Sequence, residues 1–132
     1  MTGLDTNILV RFFAQDDPVQ SRKADRLLQS LTAEAPGYVS LVSLVELVWV
    51  MRSIFHVSKH DLVESLERLL DSPEIVLENQ TAVDQALRRF AAVNVDFADC
   101  LIERSGFLAG CRSTVTFDAQ AARATGMTLL KR

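Results

Sequence analysis

Four carboxylates stand where a lone carboxylate is costly, and together they could hold a hard metal ion. Asp5 lies in Gly3-Leu4-Asp5-Thr6-Asn7, at the carboxyl end of a very short first strand and before the apolar run Ile8 to Phe13. Glu46 interrupts Ser43-Leu44-Val45-Glu46-Leu47-Val48-Trp49, and Asp118 ends Ser113-Thr114-Val115-Thr116-Phe117-Asp118. Asp99 is flanked by Phe97, Ala98, Cys100 and Leu101, which mark an inward-facing surface. Acidic side chains are rarely buried unless they are paired or bind metal. Each also has an ordinary role open to it: Asp5 as a turn residue, Glu46 as half of a capping box with Ser43, Asp99 as a favourable charge in a first helical turn, and Asp118 as an N-cap. Asp5 fits its ordinary role least, because no helix or turn read at that point requires an acid.

The set says more than its members. Two of the acids follow strands and two lie in the first turns of helices, so all four can converge at the carboxyl edge of one sheet, where open α/β folds gather their chemistry. Unit charges about 4 Å apart repel by about 4 kcal/mol at an effective dielectric of about 20. Such a group persists only if some members are protonated or a cation sits among them. Oxygen ligands select Mg²⁺, with Mn²⁺ as the alternative, over zinc. Ions of that kind lower the pKa of an attacking water and stabilise charge on a phosphate, as phosphodiester hydrolysis requires. Asp96, one turn before Asp99, either reaches the same metal or caps the helix.

The elements that must position these acids read as alternating short strands and helices. Asp17-Pro18 opens a helix from Val19 to about Leu31, with proline at the first helical position, and Pro36-Gly37 precedes a strand at Tyr38-Val39-Ser40. Ser43 is read as the cap of the next helix, and Ser58 as the start of one that runs to Leu70. Ile75-Val76-Leu77 is a strand. Asn79 caps a helix to about Ala92, and Asp96 caps one that ends near Gly110. Val115-Thr116 is a strand, Asp118 caps a helix from Ala119 to Thr125, and Met127 to Leu130 is the last strand. This alternation predicts a single three-layer α/β/α domain over residues 1–132, with a central parallel sheet of about five strands.

At 132 residues, 48% hydrophobic and 23% charged, the chain has the composition of one globular domain. Its longest apolar stretch, Leu41 to Met51, is too short to span a bilayer and contains Glu46. With no signal-peptide pattern at the start, a cytoplasmic, membrane-free protein is expected. If 97–110 is one helix, Cys100 and Cys111 lie about 16 Å apart. A disulfide needs roughly 7 Å or less between Cα atoms, so both are read as reduced, small core residues. The formal charge of −3 argues against purely electrostatic binding of nucleic acid, but not against a metal-dependent nuclease.

With these motifs in view, the sequence resembles the PIN domain, and more narrowly the VapC-type ribonuclease toxins of bacterial toxin–antitoxin pairs. The resemblance covers essentially the whole chain. It rests on Leu4-Asp5-Thr6-Asn7-Ile8-Leu9, Ser43-x-x-Glu46-Leu47, Asp96-Phe97-Ala98-Asp99-Cys100-Leu101-Ile102 and Thr116-Phe117-Asp118. Each motif alone is weak, but the four in order are specific. Cys100, where alanine is more usual, is a departure that leaves the chemistry untouched. The resemblance implies that Asp5, Glu46, Asp99 and Asp118 are the catalytic, metal-holding acids, with Asn7 and Thr116 as polar supports. It also implies Mg²⁺-dependent endoribonuclease activity, dimerisation, and inhibition by a small antitoxin protein.

Other readings fit less well. A phosphoaccepting receiver domain needs an acidic pair after the first strand, where Thr6 and Asn7 stand. A D-x-D phosphatase fails on Asn7. His56 and His60 read as solvated surface residues, and Gly106 to Gly110 as helix packing followed by a glycine stop. The non-enzymatic alternative is an inert PIN-like module that binds RNA or protein, although such a chain would be expected to have lost an acid. Arg11, Arg52, Lys59, Arg104 and Arg112 are the cations proposed to meet RNA phosphate. Leu44, Leu47, Val48, Met51 and Phe55 form one apolar stripe, with Val45, Trp49 and Arg52 on another face. That is more apolar circumference than one helix packed on a sheet needs, and it points to a groove for an antitoxin segment or a second protomer.

Overall fold

A computed structural model describes residues 1–131. The chain divides into two compact units, Met1–Glu78 and Asn79–Arg132. The class is α/β, as the alternation predicts: seven helices and five short strands among the described residues.

The first unit contains β1 (Thr2–Gly3), α1 (Thr6–Ala14), α2 (Pro18–Ser30), β2 (Gly37–Val39), α3 (Leu41–Ser53), α4 (Lys59–Asp71) and β3 (Ile75–Leu77). Its strands form a parallel sheet in the order β1-β2-β3, with Gly37 opposite both Thr2 and Ile75. An added Cβ at Gly37 would lie 2.8 Å from the methyl carbons of both Leu31 and Leu4, so those side chains would have to shift to admit one. Asp17 accepts from the backbone N–H groups of Val19 and Gln20, and Pro18 stands first in α2, the predicted start. Leu9, Leu44, Leu47, Leu62 and Leu66 are fully buried. They come from α1, α3 and α4, so the core is built by helices that each bury one stripe.

The second unit contains α5 (Gln80–Ala92), α6 (Phe97–Leu108), β4 (Val115–Thr116), α7 (Ala119–Thr125) and β5 (Thr128–Leu129). Phe90 of α5 and Phe97 of α6 meet edge to face, centroids 5.8 Å apart, an arrangement aromatic quadrupoles favour. Gly110 follows α6 with φ +100, the left-handed stop expected of it.

Four expectations are corrected. The five strands do not form one ladder: β4 and β5 pair only with each other, in parallel. Each is two residues long and exposed or half-buried, without the apolar run of a strand buried on both faces. The cap of α3 is Ser40, whose hydroxyl accepts from the N–H of Ser43 at 3.1 Å; the strand before it ends one residue early, which frees Ser40 for that role. Ser43 and Glu46 therefore form no capping box. Asn79 does precede α5, but with φ 52 and no side-chain capping bond. Both cysteines are unpaired; Cys100 is buried as expected, whereas Cys111 is exposed beyond the end of α6.

Candidate active site

In the first unit, Asp5 turns out to be an N-cap. Its Oδ1 accepts from the backbone N–H of Thr6 at 2.8 Å, and its extended backbone (φ −74, ψ 157) leads from the sheet into α1. The short gap between β1 and α1 hid this cap from sequence reading. One carboxylate oxygen remains without a partner among the described residues, and the side chain is exposed. Asn7, also exposed, sits in the first turn of the same helix. Glu46 is exposed on α3, which packs against α1.

The sequence motifs miss a further acid at this sheet edge. Glu78 follows β3, and its Oε1 accepts from the N–H of Leu41 at 2.9 Å. It thus satisfies an otherwise orphaned donor at the start of α3. The available signal was an acid directly after a buried strand.

In the second unit three carboxylates share one environment. Asp96 caps α6, accepting from the N–H of Ala98 at 3.1 Å. Asp118 caps α7 through one oxygen, accepting from Gln120 at 2.9 Å and Ala121 at 3.1 Å. Thr116 fixes the corner, its Oγ1 accepting from the N–H of Asp118 at 3.0 Å. Asp99, half-buried in the first turn of α6, caps nothing. Burial, and then the charges of Asp96 and Asp118, push its carboxyl above the usual carboxylate value of 3.8. The ordinary roles of Asp96 and Asp118 are therefore real, yet each leaves an oxygen without a partner among the described residues.

This donor set fits a hard divalent cation. It is all oxygen, it contains one carboxylate that is partly desolvated and repelled by two others, and a positive charge would relieve all three. Among the described residues only His60, Asp61 and Glu64 bring three ligand atoms within 4.8 Å of one another. One ion could thus meet Asp96, Asp99 and Asp118 only with water completing part of its shell, the habit of Mg²⁺. The His60 group lies fully exposed along one face of α4, with His60 3.4 Å from Asp61 and 3.6 Å from Glu64. It is a solvated charge cluster, and His56 is exposed as well, as read from the sequence.

Of the cations proposed to meet RNA, Arg11 is engaged by Asp16 and Gln20, and Arg52 donates to the carbonyl of Val57. Arg104 is held by Glu103 and Gln85. No described helix is long and apolar enough to cross a membrane. Neither the curated proteins nor the solved structures provide a match. The family model of the PIN domain matches residues 4–127, from the residue before Asp5 to beyond α7 and so across all four acids. On that match, the chain belongs to the PIN domain family.

Proposed function

We propose that this protein is a Mg²⁺-dependent endoribonuclease and the toxin of a toxin–antitoxin pair, residues 1–132 acting as one nuclease domain. PIN domains are generally nucleases and typically use divalent metals. The observation that carries the reading is the raised, half-buried carboxyl of Asp99 beside Asp96 and Asp118. A structural acid has no need of two acidic neighbours and a desolvated site.

In this reading Asp5 and Asp99 are the primary metal ligands, with Glu46 and Asp118 completing the acidic pocket or holding metal-bound water. Asn7, Thr116 and Asp96 keep those carboxylates oriented. A divalent cation held there supplies a water of lowered pKa and neutralises charge building on the phosphate. Water oriented by these acids would add in line to phosphorus, passing a proton to a carboxylate, as the bond to the 3′ oxygen breaks. That oxygen takes up a proton, leaving a 3′-hydroxyl and a 5′-phosphate. Asp5→Asn removes charge without volume and can still cap α1. It is expected to lower RNA cleavage at least 100-fold, about 2.7 kcal/mol, with the melting temperature held. Cleavage at the wild-type rate, or no Mg²⁺ or Mn²⁺ binding by calorimetry, would leave the inert binding module.

The partner reading rests on α3. Leu44, Leu47, Val48 and Met51 are buried, whereas Trp49 on the other face is 61% exposed and Val42 69% exposed. Exposed apolar side chains on a helix already buried along one face suit a docking surface, here for a second protomer or an antitoxin helix. The antitoxin is also proposed to present a basic side chain to the acids. Trp49→Ala is expected to weaken dimer or antitoxin binding, read by light scattering and pull-down, with metal affinity unchanged; Met51, which the sequence stripe also offered, is buried, and a charge there would disrupt the core instead of reporting on docking. Intact assembly with lost metal binding would reverse that assignment.

A further inference from the structure

The protein carries a formal net charge of −3, yet one cleft in the second unit concentrates the opposite sign. A cavity of about 580 Å³ opens between α5, α6 and α7, and Arg88, Arg89, Arg104 and Arg123 all line it. Glu103 is the one carboxylate in that lining. The volume is that of a ligand site rather than a packing defect.

The four arginines are held in different ways. Nε and Nη2 of Arg104 donate to the two carboxylate oxygens of Glu103 at 2.6 and 2.8 Å, and Nη1 donates to Gln85 at 3.2 Å. The guanidinium also lies 4.5 Å over the ring of Phe107. Arg89 donates through Nε to the carbonyl of Ala124 at 2.6 Å, tying α5 to the last turn of α7. Arg88 reaches only Asp84, at 3.3 Å on the exposed side of α5. Arg123 makes no hydrogen bond or ion pair among the described residues. Arg104 is thus already paired with the cleft's one carboxylate, Arg89 is fixed through Nε with its other donors left over, and Arg88 and Arg123 are the least engaged. Guanidinium forks match phosphate oxygens two at a time.

The cleft also has a direction. Its α6 wall begins at Cys100, next to Asp99, and reaches Arg104, roughly 7.5 Å along the helix axis from Asp99 at 1.5 Å per residue. Ala92 and the buried Cys100 give it an apolar side. A positively charged groove that tracks the backbone is how single strands are held without reading their sequence.

We propose that this cleft is an anion subsite gripping the phosphodiester backbone of single-stranded RNA beside Asp99, an inference that rests on the endoribonuclease reading above. Arg88 and Arg123 supply the main contacts, Arg89 a fixed one, and Arg104, paired with Glu103, shapes the wall. Affinity for a short fluorescein-labelled RNA, measured at stepped salt in chelator so that nothing is cut, tests it. Arg88→Ala with Arg123→Ala is expected to weaken binding about tenfold and to flatten the log–log salt slope by roughly 1.4, for two lost contacts to a single strand. The melting temperature should hold, because neither side chain anchors backbone. Unchanged affinity and slope would overturn the subsite, as would a wild-type protein that binds no RNA. Stronger competition by polyglutamate than by RNA of equal charge would overturn it in favour of an acidic protein partner. Cleavage in Mg²⁺ separates this result from failure of the nuclease reading. With the subsite correct, the double variant raises KM and keeps kcat. Wild-type cleavage with KM unchanged in the variant sinks the subsite alone, and no wild-type cleavage sinks the nuclease reading itself.

Discussion

Asp5 and Asp99 are the same residue type at comparable places, each at the opening of a helix, yet their surroundings differ. Asp5 is exposed and spends one oxygen on the N–H of Thr6. Asp99 caps nothing, is half-buried, and faces the charges of Asp96 and Asp118. The first is stabilised by its helix, whereas the second is destabilised by its neighbours. An acid at a helix start is therefore not in itself a sign of chemistry. What distinguishes the second corner is an electrostatic cost that nothing within the described chain offsets.

The largest expected effect lies in the cores beneath the two corners. Phe97, beside Asp96 and packed on Phe90, is 1% exposed, as is Leu44 of α3. Phe97→Ala is expected to cost about 3–5 kcal/mol and Leu44→Ala about 2–5 kcal/mol, read from urea unfolding. A Phe97→Ala protein with an unshifted midpoint would mean that α6 does not hold Asp99 in place through its core.

A smaller effect separates capping from charge at Asp118. Asp118→Asn can still accept from Gln120 and Ala121, so it should cost little stability, whereas Asp118→Ala loses the cap and about 1 kcal/mol. Both remove the same negative charge, so both should weaken Mg²⁺ binding alike. If only the alanine variant bound metal poorly, the role of Asp118 would be to hold α7 and not to face the ion.

The smallest effect is the pH dependence of Asp99. Its folded-state pKa is raised above 3.8, so the folded chain holds that proton more tightly than the unfolded one. The associated stability is fully present below about 3.9, the unfolded value, and is lost as pH rises through the folded value. Asp99→Asn cannot ionise and is expected to raise the melting temperature of the metal-free protein slightly at pH 7, the gain shrinking towards pH 4. Adding Mg²⁺ should then stabilise the wild type and leave the variant unmoved. A variant less stable than wild type at pH 7 without metal would remove the claimed repulsion.

The helices were far more legible in the sequence than the strands. Caps such as Asp17, Ser58, Asp96 and Asp118 act on backbone N–H groups two or three residues away, so their signal is local. Which strand pairs with which is decided by distant segments, and two-residue strands carry almost no periodicity, so the alternation predicts one sheet of five where ladders of three and two occur. The acids stand out in the sequence because apolar neighbours set them off, whereas the grouping of Asp96, Asp99 and Asp118 is read from the second unit. The cap at Asp5 was obscured because α1 begins immediately after it. Arg88, Arg89 and Arg123 gave no signal at all: they lie on α5 and α7, over thirty positions apart, and each alone resembles a solvated surface charge.

The two sulfurs extend the contrast between buried and exposed into covalent chemistry. Burial pushes the Cys100 thiol up to about 11, so at neutral pH roughly one molecule in ten thousand carries the nucleophilic thiolate there. Cys111 stands exposed just past the glycine that ends α6. An alkylating probe or an oxidant therefore meets this protein as if it held one cysteine, and a dye attached there reports from the link between α6 and β4 while the sulfur next to Asp99 stays unmodified.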